Sequence, residues 1–246
     1  MSESLAAITS DTFSVSTVLI DATDWSANPS SLVIINNDGS VTNNGGGSVT
    51  LTATKGGYSK SVTLKTVTNC TISTAEQLFA LAAGISQGNA EGFDLTIGSN
   101  TVHIPQYADG VVFTLNNDIN LDPNGLNTPW APIGTSDYPF KGSFDGSRHT
   151  VSGLYIDNTS TETGINQGFI GYFQGTNIKN LTVKGSVLAS QNAAGVCGYN
   201  AGGLIENCQN DVAVQGYQNV GGVCGYNNGG RINLCINTGN VTIVAE

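Results

Sequence analysis

Ala194-Gly-Val-Cys-Gly-Tyr-Asn-Ala-Gly-Gly-Leu-Ile-Glu-Asn-Cys208 returns 27 residues later as Gly221-Gly-Val-Cys-Gly-Tyr-Asn-Asn-Gly-Gly-Arg-Ile-Asn-Leu-Cys235. The step reaches beyond these two strings. It joins Ile170 to Cys197 and Cys224, Leu181 to Cys208 and Cys235, and Tyr172 to Tyr199 and Tyr226. Gly171, Gly198 and Gly225 keep it, as do Ile178, Ile205 and Ile232, and Val187, Val214 and Val241. An unbroken period means one supersecondary unit copied along an axis, because an insertion inside a unit breaks the register.

A unit of 27 residues holds about three strands of roughly five residues with their turns, which is one coil of a parallel β-helix. Ankyrin and leucine-rich repeats have similar lengths but need helices or a Leu-x-x-Leu-x-Leu pattern, absent from these strings. In a β-helix each residue stands about 4.8 Å above its equivalent one coil below. The Ile170/Cys197/Cys224 and Leu181/Cys208/Cys235 stations therefore read as inward stacks of small hydrophobes. Asn180 with Asn207, and Asn200 with Asn227, read as turn residues favouring the left-handed backbone region and side-chain ladders between coils. Gly142-Ser-Phe-Asp-Gly146 through Val151, Leu154 and Ile156 reads as the first regular coil. Those three residues project by 27 onto Ile178, Leu181 and Val183.

Upstream, Ser73-Thr-Ala-Glu76 reads as a capping box, with the Ser hydroxyl and the Glu carboxylate satisfying free N–H groups at a helix start. Leu78, Leu81, Ala82 and Ile85 then fall at helical spacing, and Gly84 or Gly88 ends the helix. Its expected task is to cover the first coil, whose backbone edge and apolar interior otherwise face water. Residues 1 to about 68 read as a small β unit with strands at 15–21, 32–35, 48–54 and 61–67. The last two form a hairpin around Lys55-Gly56-Gly57-Tyr58.

Trp130-Ala-Pro-Ile-Gly134, Pro139-Phe-Lys-Gly-Ser-Phe-Asp-Gly146 and His149-Thr-Val-Ser-Gly-Leu-Tyr-Ile156 lead into the two repeats that end at Cys208 and Cys235. Together these strings resemble GLUG-type repeats over about residues 70–244. The resemblance implies a right-handed parallel β-helix of the kind found in large secreted or surface proteins of bacteria. Among these are adhesins and the non-catalytic stalks of immunoglobulin-A-cleaving metallopeptidases. The pattern departs at Cys197 and Cys224, where aliphatics are usual; packing survives and redox sensitivity is added. Trp25-Ser-Ala-Asn-Pro29, Asn37-Asp-Gly39-Ser-Val41 and Val49-Thr-Leu-Thr-Ala-Thr-Lys-Gly-Gly57 resemble bacterial Ig-like domains over roughly residues 11–67. The expected fold class is all-β: an Ig-like β-sandwich at 1–68, then a right-handed parallel β-helix at 69–246 capped by one short helix.

Only 11% of the residues are charged and 32 are glycine, a composition of strands and tight turns rather than helices. The net charge is -10, and no Lys or Arg occurs between Lys65 and Lys141. Such a surface repels phosphate backbones, which argues against nucleic acid and anionic membranes as partners. No apolar run is long enough to cross a bilayer. Met1-Ser-Glu-Ser lacks the basic start and apolar core of a signal peptide. The expectation is a piece of a larger exported protein, extracellular or at the cell surface, or a virion component.

No His-Glu-x-x-His or Cys-x-x-Cys occurs, and neither His103 nor His149 has a Cys, Asp or Glu partner at ligand spacing. No catalytic residue, metal or cofactor is therefore assigned. From residue 165 onward the only acids are Glu206, Asp211 and Glu246, too few for the paired carboxylates of a glycan hydrolase or lyase. An enzyme reading returns if Asp94, Asp109, Asp118 and Asp122 gather in one cation-binding cleft. Of five cysteines, four occupy repeat stations and Cys70 stands apart. Cys197 with Cys224, and Cys208 with Cys235, sit at a separation a disulfide could span. Neighbouring parallel strands rarely present the required dihedral, so reduced thiols are expected.

Two surfaces are candidates for function. Tyr172, Tyr199 and Tyr226 form a ladder that suits stacking against sugars or a protein if it faces out, and is structural if it packs at a coil corner. Asn240, Val241, Thr242, Ile243 and Val244 form a candidate assembly edge, because an open coil offers unpaired N–H and C=O groups to another chain. The expected function is a non-catalytic structural and adhesive stalk. Its expected partners are a host or neighbouring-cell surface protein or glycan, or copies of itself. The alternatives are a self-assembling fibre or virion-appendage subunit stacking head to tail, and a polysaccharide-binding or polysaccharide-degrading β-helix.

Overall fold

The computed structural model describes residues 12–14, 24–30, 33–35, 40–43, 47–55, 57–66 and 68–245; the strand expected at 15–21 lies outside them. The N-terminal part has two three-stranded antiparallel sheets. One places Ser40–Asn43 between Thr12–Ser14 and Val33–Ile35. The other places Gly47–Lys55 between Asp24–Asn28 and Tyr58–Thr66. Period-two alternation turns Val49 and Leu51 inward, where they meet Val33 and Val41 of the other sheet in one small core. The intervening Thr50, Thr52 and Thr54 pair their hydroxyls with Thr63, Ser61 and Ser59 at 3.1, 2.8 and 2.9 Å. Asp24–Asn28 and Ser40–Asn43 are strands that composition does not announce. Asn, Asp and Ser disfavour strands, and pairing to neighbours on the sheet overrides that preference.

The helix runs Ala75–Ser86, one residue later than its sequence signal. Thr74, not Ser73, is the N-cap, and Gln77 rather than Glu76 closes the capping box. Gln77 Oε1 accepts from the backbone N–H of Ser73 at 2.7 Å and of Thr74 at 3.2 Å, and its amide donates to the Thr96 carbonyl. A glutamine does both, whereas a glutamate only accepts. Leu78, Leu81, Ala82 and Ile85 are buried as expected. Gly88, at φ +61, follows the C-cap Gln87, while Gly84 lies within the helix against the ring of Phe93. The hairpin Phe93–Ile97/Asn100–Ile104 follows, and its Leu95 and Ile104 join the helix in covering the first coil.

From Thr68 onward the chain forms a right-handed parallel β-solenoid of about five turns. Face A stacks Thr68–Ile72, Val111–Leu115, Ser143–Asp145, Asn177–Lys179, Leu204–Glu206 and Arg231–Asn233. Face B stacks Ile119–Asn120, Thr150–Asn158, Thr182–Ala193, Gln209–Val220 and Ile236–Asn237. Ile165–Gln167 and Val241–Ile243 pair onto its long strands. Face C stacks Ile170–Phe173, Cys197–Asn200 and Cys224–Asn227, preceded by single bridges from Ile133 to Ile170 and from Phe140 to Phe173. A coil is thus not three strands of equal length. In the coil that begins at Asn177 the strands are 3, 12 and 4 residues long.

Register turns sequence stations into vertical stacks. Cys70, Phe113, Phe144, Ile178, Ile205 and Ile232 form one stack on face A. Cys70, which has no repeat partner in the sequence, is therefore the foot of a core column. The projection of Val151 and Ile156 by 27 residues is corrected: they pair with Val183 and Val187, and Ile178 sits over Phe144. The early coils are longer, and a β-bulge shifts the register between Val151 and Leu154. Only after Ile170 do all turns have equal length, so only there does constant spacing report on space. Ile170, Cys197 and Leu181 are buried as expected, and so is Cys208.

Candidate functional site

The tyrosine ladder exists. The rings of Tyr172 and Tyr199 stack at 4.6 Å and 6°, and those of Tyr199 and Tyr226 at 5.1 Å and 23°. Tyr172 and Tyr199 are half-buried and Tyr226 is exposed. At coil spacing the rings occupy one another's faces. Only Tyr226 is exposed, so the rib does not offer three free stacking platforms. Asn228 Nδ2 donates to the Tyr199 hydroxyl at 2.9 Å. Burial, followed by the neighbouring Tyr199, raises the pKa of Tyr172.

The terminal coil carries the second candidate surface. Val241–Ile243 pairs with Val214–Gly216 on one side, and Val214 N donates to the Asn240 carbonyl while Val244 N donates to Gly216. Among the described residues no strand pairs with its other side. Ile232 is 44% exposed and Leu234 76%, although their coil equivalents Ile205 and Asn207 lie in the core and the corner ladder. Ile236, Val241 and Ile243 are exposed as well. Asn240 to Val244 thus belong to a larger open surface that includes residues from faces A and B.

Asparagine ladders are more numerous than the sequence signals suggested. Asn207 Nδ2 donates to Asn180 Oδ1 at 2.7 Å, and Asn180 Nδ2 to Asp145 Oδ1 at 3.0 Å. Asn219, Asn192 and Asn166 form a second ladder at 2.8 and 2.7 Å. Asn180, Asn207, Asn166, Asn192 and Asn219 all have positive φ, where Asn is among the few residues tolerated. Asn200 and Asn227 also pair, but neither has positive φ, and Asn200 is a fully buried core residue rather than a solvent-facing turn. Asn210 and Asn237 pair in the same way at 2.7 Å. Asn192 with Asn219, and Asn210 with Asn237, lie 27 residues apart, so the repeat itself could have revealed them.

All five cysteines are free thiols. Cys197 stands between Ile170 and Cys224 on face C, and burial pushes its pKa up. Burial likewise raises Cys70, to about 11. The Cys208 Sγ donates to the Glu206 carbonyl at 3.2 Å and the Cys235 Sγ to the Asn233 carbonyl at 3.3 Å. The neighbouring Cys235 and burial raise the pKa of Cys208, and the neighbouring Cys208 lowers that of Cys235 to about 7.

Each histidine does meet a carboxylate, contrary to the spacing argument. His103 Nδ1 lies 2.9 Å from Asp94 Oδ1 across the antiparallel hairpin, and His149 Nδ1 lies 3.2 Å from Asp118 Oδ1. A strand pair and a coil corner bring together residues that sequence spacing separates. Asp122 instead accepts from Leu126 N, Asn127 N and the Thr128 hydroxyl. The four aspartates of the conditional cation cleft do not converge. Among the described residues no group of three or more His, Cys, Asp or Glu could hold a metal ion.

No family model matches this chain, and neither does any curated protein or solved structure.

Proposed function

We propose that this chain is a non-catalytic structural module, a rigid β-helical stalk that presents binding surfaces at a bacterial cell surface. One observation carries the reading: faces A and B are continuous parallel ladders through about five turns. In such a rod each backbone hydrogen bond runs along the axis, and bending it breaks several bonds at once. The resemblance of residues 70–244 to GLUG-type repeats, and of the N-terminal strands to bacterial Ig-like domains, supports the surface placement. The acidic surface favours protein or glycan partners over nucleic acid.

A second reading is favoured by the exposed Ile232, Leu234, Ile236, Val241 and Ile243. In it a second copy stacks on the open coil, a head-to-tail contact that does not close and so propagates into a fibre. Negative-stain electron microscopy across a concentration series separates the two. Isolated short rods at every concentration support the stalk and overturn the fibre; filaments that lengthen with concentration do the reverse. Compact particles without a rod axis overturn both.

A further inference from the structure

A groove runs along the rod axis at the corner between faces A and B, with a volume of about 230 Å³. Successive coils supply its walls: Arg148, then Thr182, then Asn207 and Gln209, then Leu234 and Ile236. Arg148 stands at one end. Its φ is 68 and that of Ser147 is 49, two consecutive left-handed residues that are neither Gly nor Asn, a conformation that costs about 1 kcal/mol or more per residue. Hydrogen bonds hold the turn in place. Ser147 N donates to Asp145 Oδ1 at 2.8 Å and Arg148 N to the Asn180 carbonyl at 2.8 Å. Among the described residues no carboxylate forms an ion pair with the Arg148 guanidinium. Lys179 and Lys184, by contrast, pair with Asp145 and Asp211.

The rest of the groove offers acceptors. Asn207 directs one amide N–H to Asn180, and Gln209 one of its own to Asp211 at 2.8 Å; among the described residues no hydrogen bond reaches either side-chain carbonyl oxygen. Thr182 adds a hydroxyl. One coil further the Asn180–Asn207 ladder breaks off at Leu234, which keeps the left-handed backbone (φ 51) and is 76% exposed. An asparagine there would have capped Asn207 Oδ1, and a bulky residue in this region is an outlier. Leucine leaves the oxygen free and sets an apolar wall beside it.

From this arrangement we infer that the groove binds an anionic monosaccharide unit, a hexuronate. Its carboxylate lies against Arg148, its hydroxyls donate to Asn207 and Gln209, and its C–H face rests on Leu234 and Ile236. A planar guanidinium matches a carboxylate bidentately. A simple inorganic anion satisfies Arg148 but faces bare carbonyl oxygens elsewhere, and a neutral sugar leaves the guanidinium unmatched. The volume is below the roughly 300–1,000 Å³ of drug-sized sites, which suits one ring. The site is independent of whether the rod is a stalk or a fibre subunit.

The test is an NMR titration of the full chain with sodium glucuronate and sodium galacturonate, alongside glucose and inorganic phosphate. The expected result is saturable shifts at the Asn207 and Gln209 side-chain amides with a Kd on the order of millimolar. Arg148→Met should weaken binding at least about tenfold. Leu234→Asn should weaken it too while raising the melting temperature, because Asn suits the backbone and extends the ladder. Loss of binding in a more stable variant separates recognition from folding. Glucose or phosphate giving the same shifts at the same concentration, or an unchanged Kd in Arg148→Met, overturns the assignment. So does the absence of saturable shifts with both uronates.

Discussion

Asn200 Nδ2 lies 2.8 Å from Oδ1 of Asn227, its equivalent one coil on, at a station that Phe140 and Phe173 fill in the preceding coils. A column that begins with aromatic rings thus continues as an amide ladder, buried at Asn200 and exposed at Asn227. Asn200 is also bonded to its own turn, accepting from Gly203 N at 3.0 Å and donating to the Gly203 carbonyl at 2.9 Å. Asn200→Ala leaves these groups without partners inside the core and should cost about 2–4 kcal/mol by urea denaturation. Asn227→Ala, in the exposed coil, should cost under about 1 kcal/mol. Equal costs would show that burial does not set the value of the ladder.

Ile205 and Ile232 are register partners with different surroundings, the first fully buried and the second 44% exposed. Ile205→Asp buries an unpaired charge and should cost about 3–5 kcal/mol or prevent folding. Ile232→Asp leaves the new carboxylate in water and should cost about 1 kcal/mol or less. If Ile232→Asp is as damaging as Ile205→Asp, the terminal surface is covered in solution.

Tyr199 stacks on both of its neighbours, whereas Tyr226 stacks on one. Aromatic pairs contribute about 0.5–1.5 kcal/mol each beyond buried area. Tyr199→Leu should therefore lose about 1–3 kcal/mol and Tyr226→Leu about half as much, by denaturant unfolding. A double-mutant cycle on Tyr172 and Tyr199 that shows no coupling would reduce the ladder to coincidence of packing.

Three thiols, Cys70, Cys197 and Cys208, are buried, and two, Cys224 and Cys235, are half-buried. A maleimide or aromatic disulfide reagent should modify two thiols in the native chain and the other three only after denaturation. Cys235 should react first, with a rate rising through about pH 7, because the neighbouring Cys208 lowers its pKa to about 7. Peptide mapping that finds Cys208 labelled before Cys235 would overturn this order.

Burial alone would raise the pKa of Asp145, yet hydrogen bonds from Asn180 and Ser147 and the nearby Lys179 outweigh it and hold it below its ordinary value. A depressed carboxylate stabilises the fold above its unfolded pKa, about 3.9, and loses that contribution as pH falls through the folded value. Asp145→Asn should therefore be less stable at pH 7 and show a shallower loss of stability below about pH 4. Melting temperatures from pH 2 to 7 test this, and parallel curves for the two proteins would refute it.

The 27-residue repeat was legible because the last coils have turns of equal length, so sequence distance and axial distance are proportional. Where the helix, the hairpin and longer loops enter the early coils, that proportionality fails, and Val151 finds Val183 rather than Ile178. The capping signal was displaced by one residue for a local reason: only a glutamine at position 77 can both accept from the cap and donate to Thr96. The His–Asp pairs left no trace in spacing, since one spans a hairpin and the other joins residues 31 apart in sequence.

The sequence by itself determined a stacked β architecture, its apolar columns at Ile178/Ile205 and Ile170/Cys197, and the helix that covers one end. Periodicity and side-chain volume dictate these, and both are local properties of the chain. Tertiary structure alone decided that Cys70 belongs to the Phe113 column, that Asn200 is core rather than surface, and that Arg148, Thr182, Asn207 and Gln209 share one groove. Each of these depends on which coil lies above which, a relation set by the lengths of the intervening loops rather than by the residues brought together.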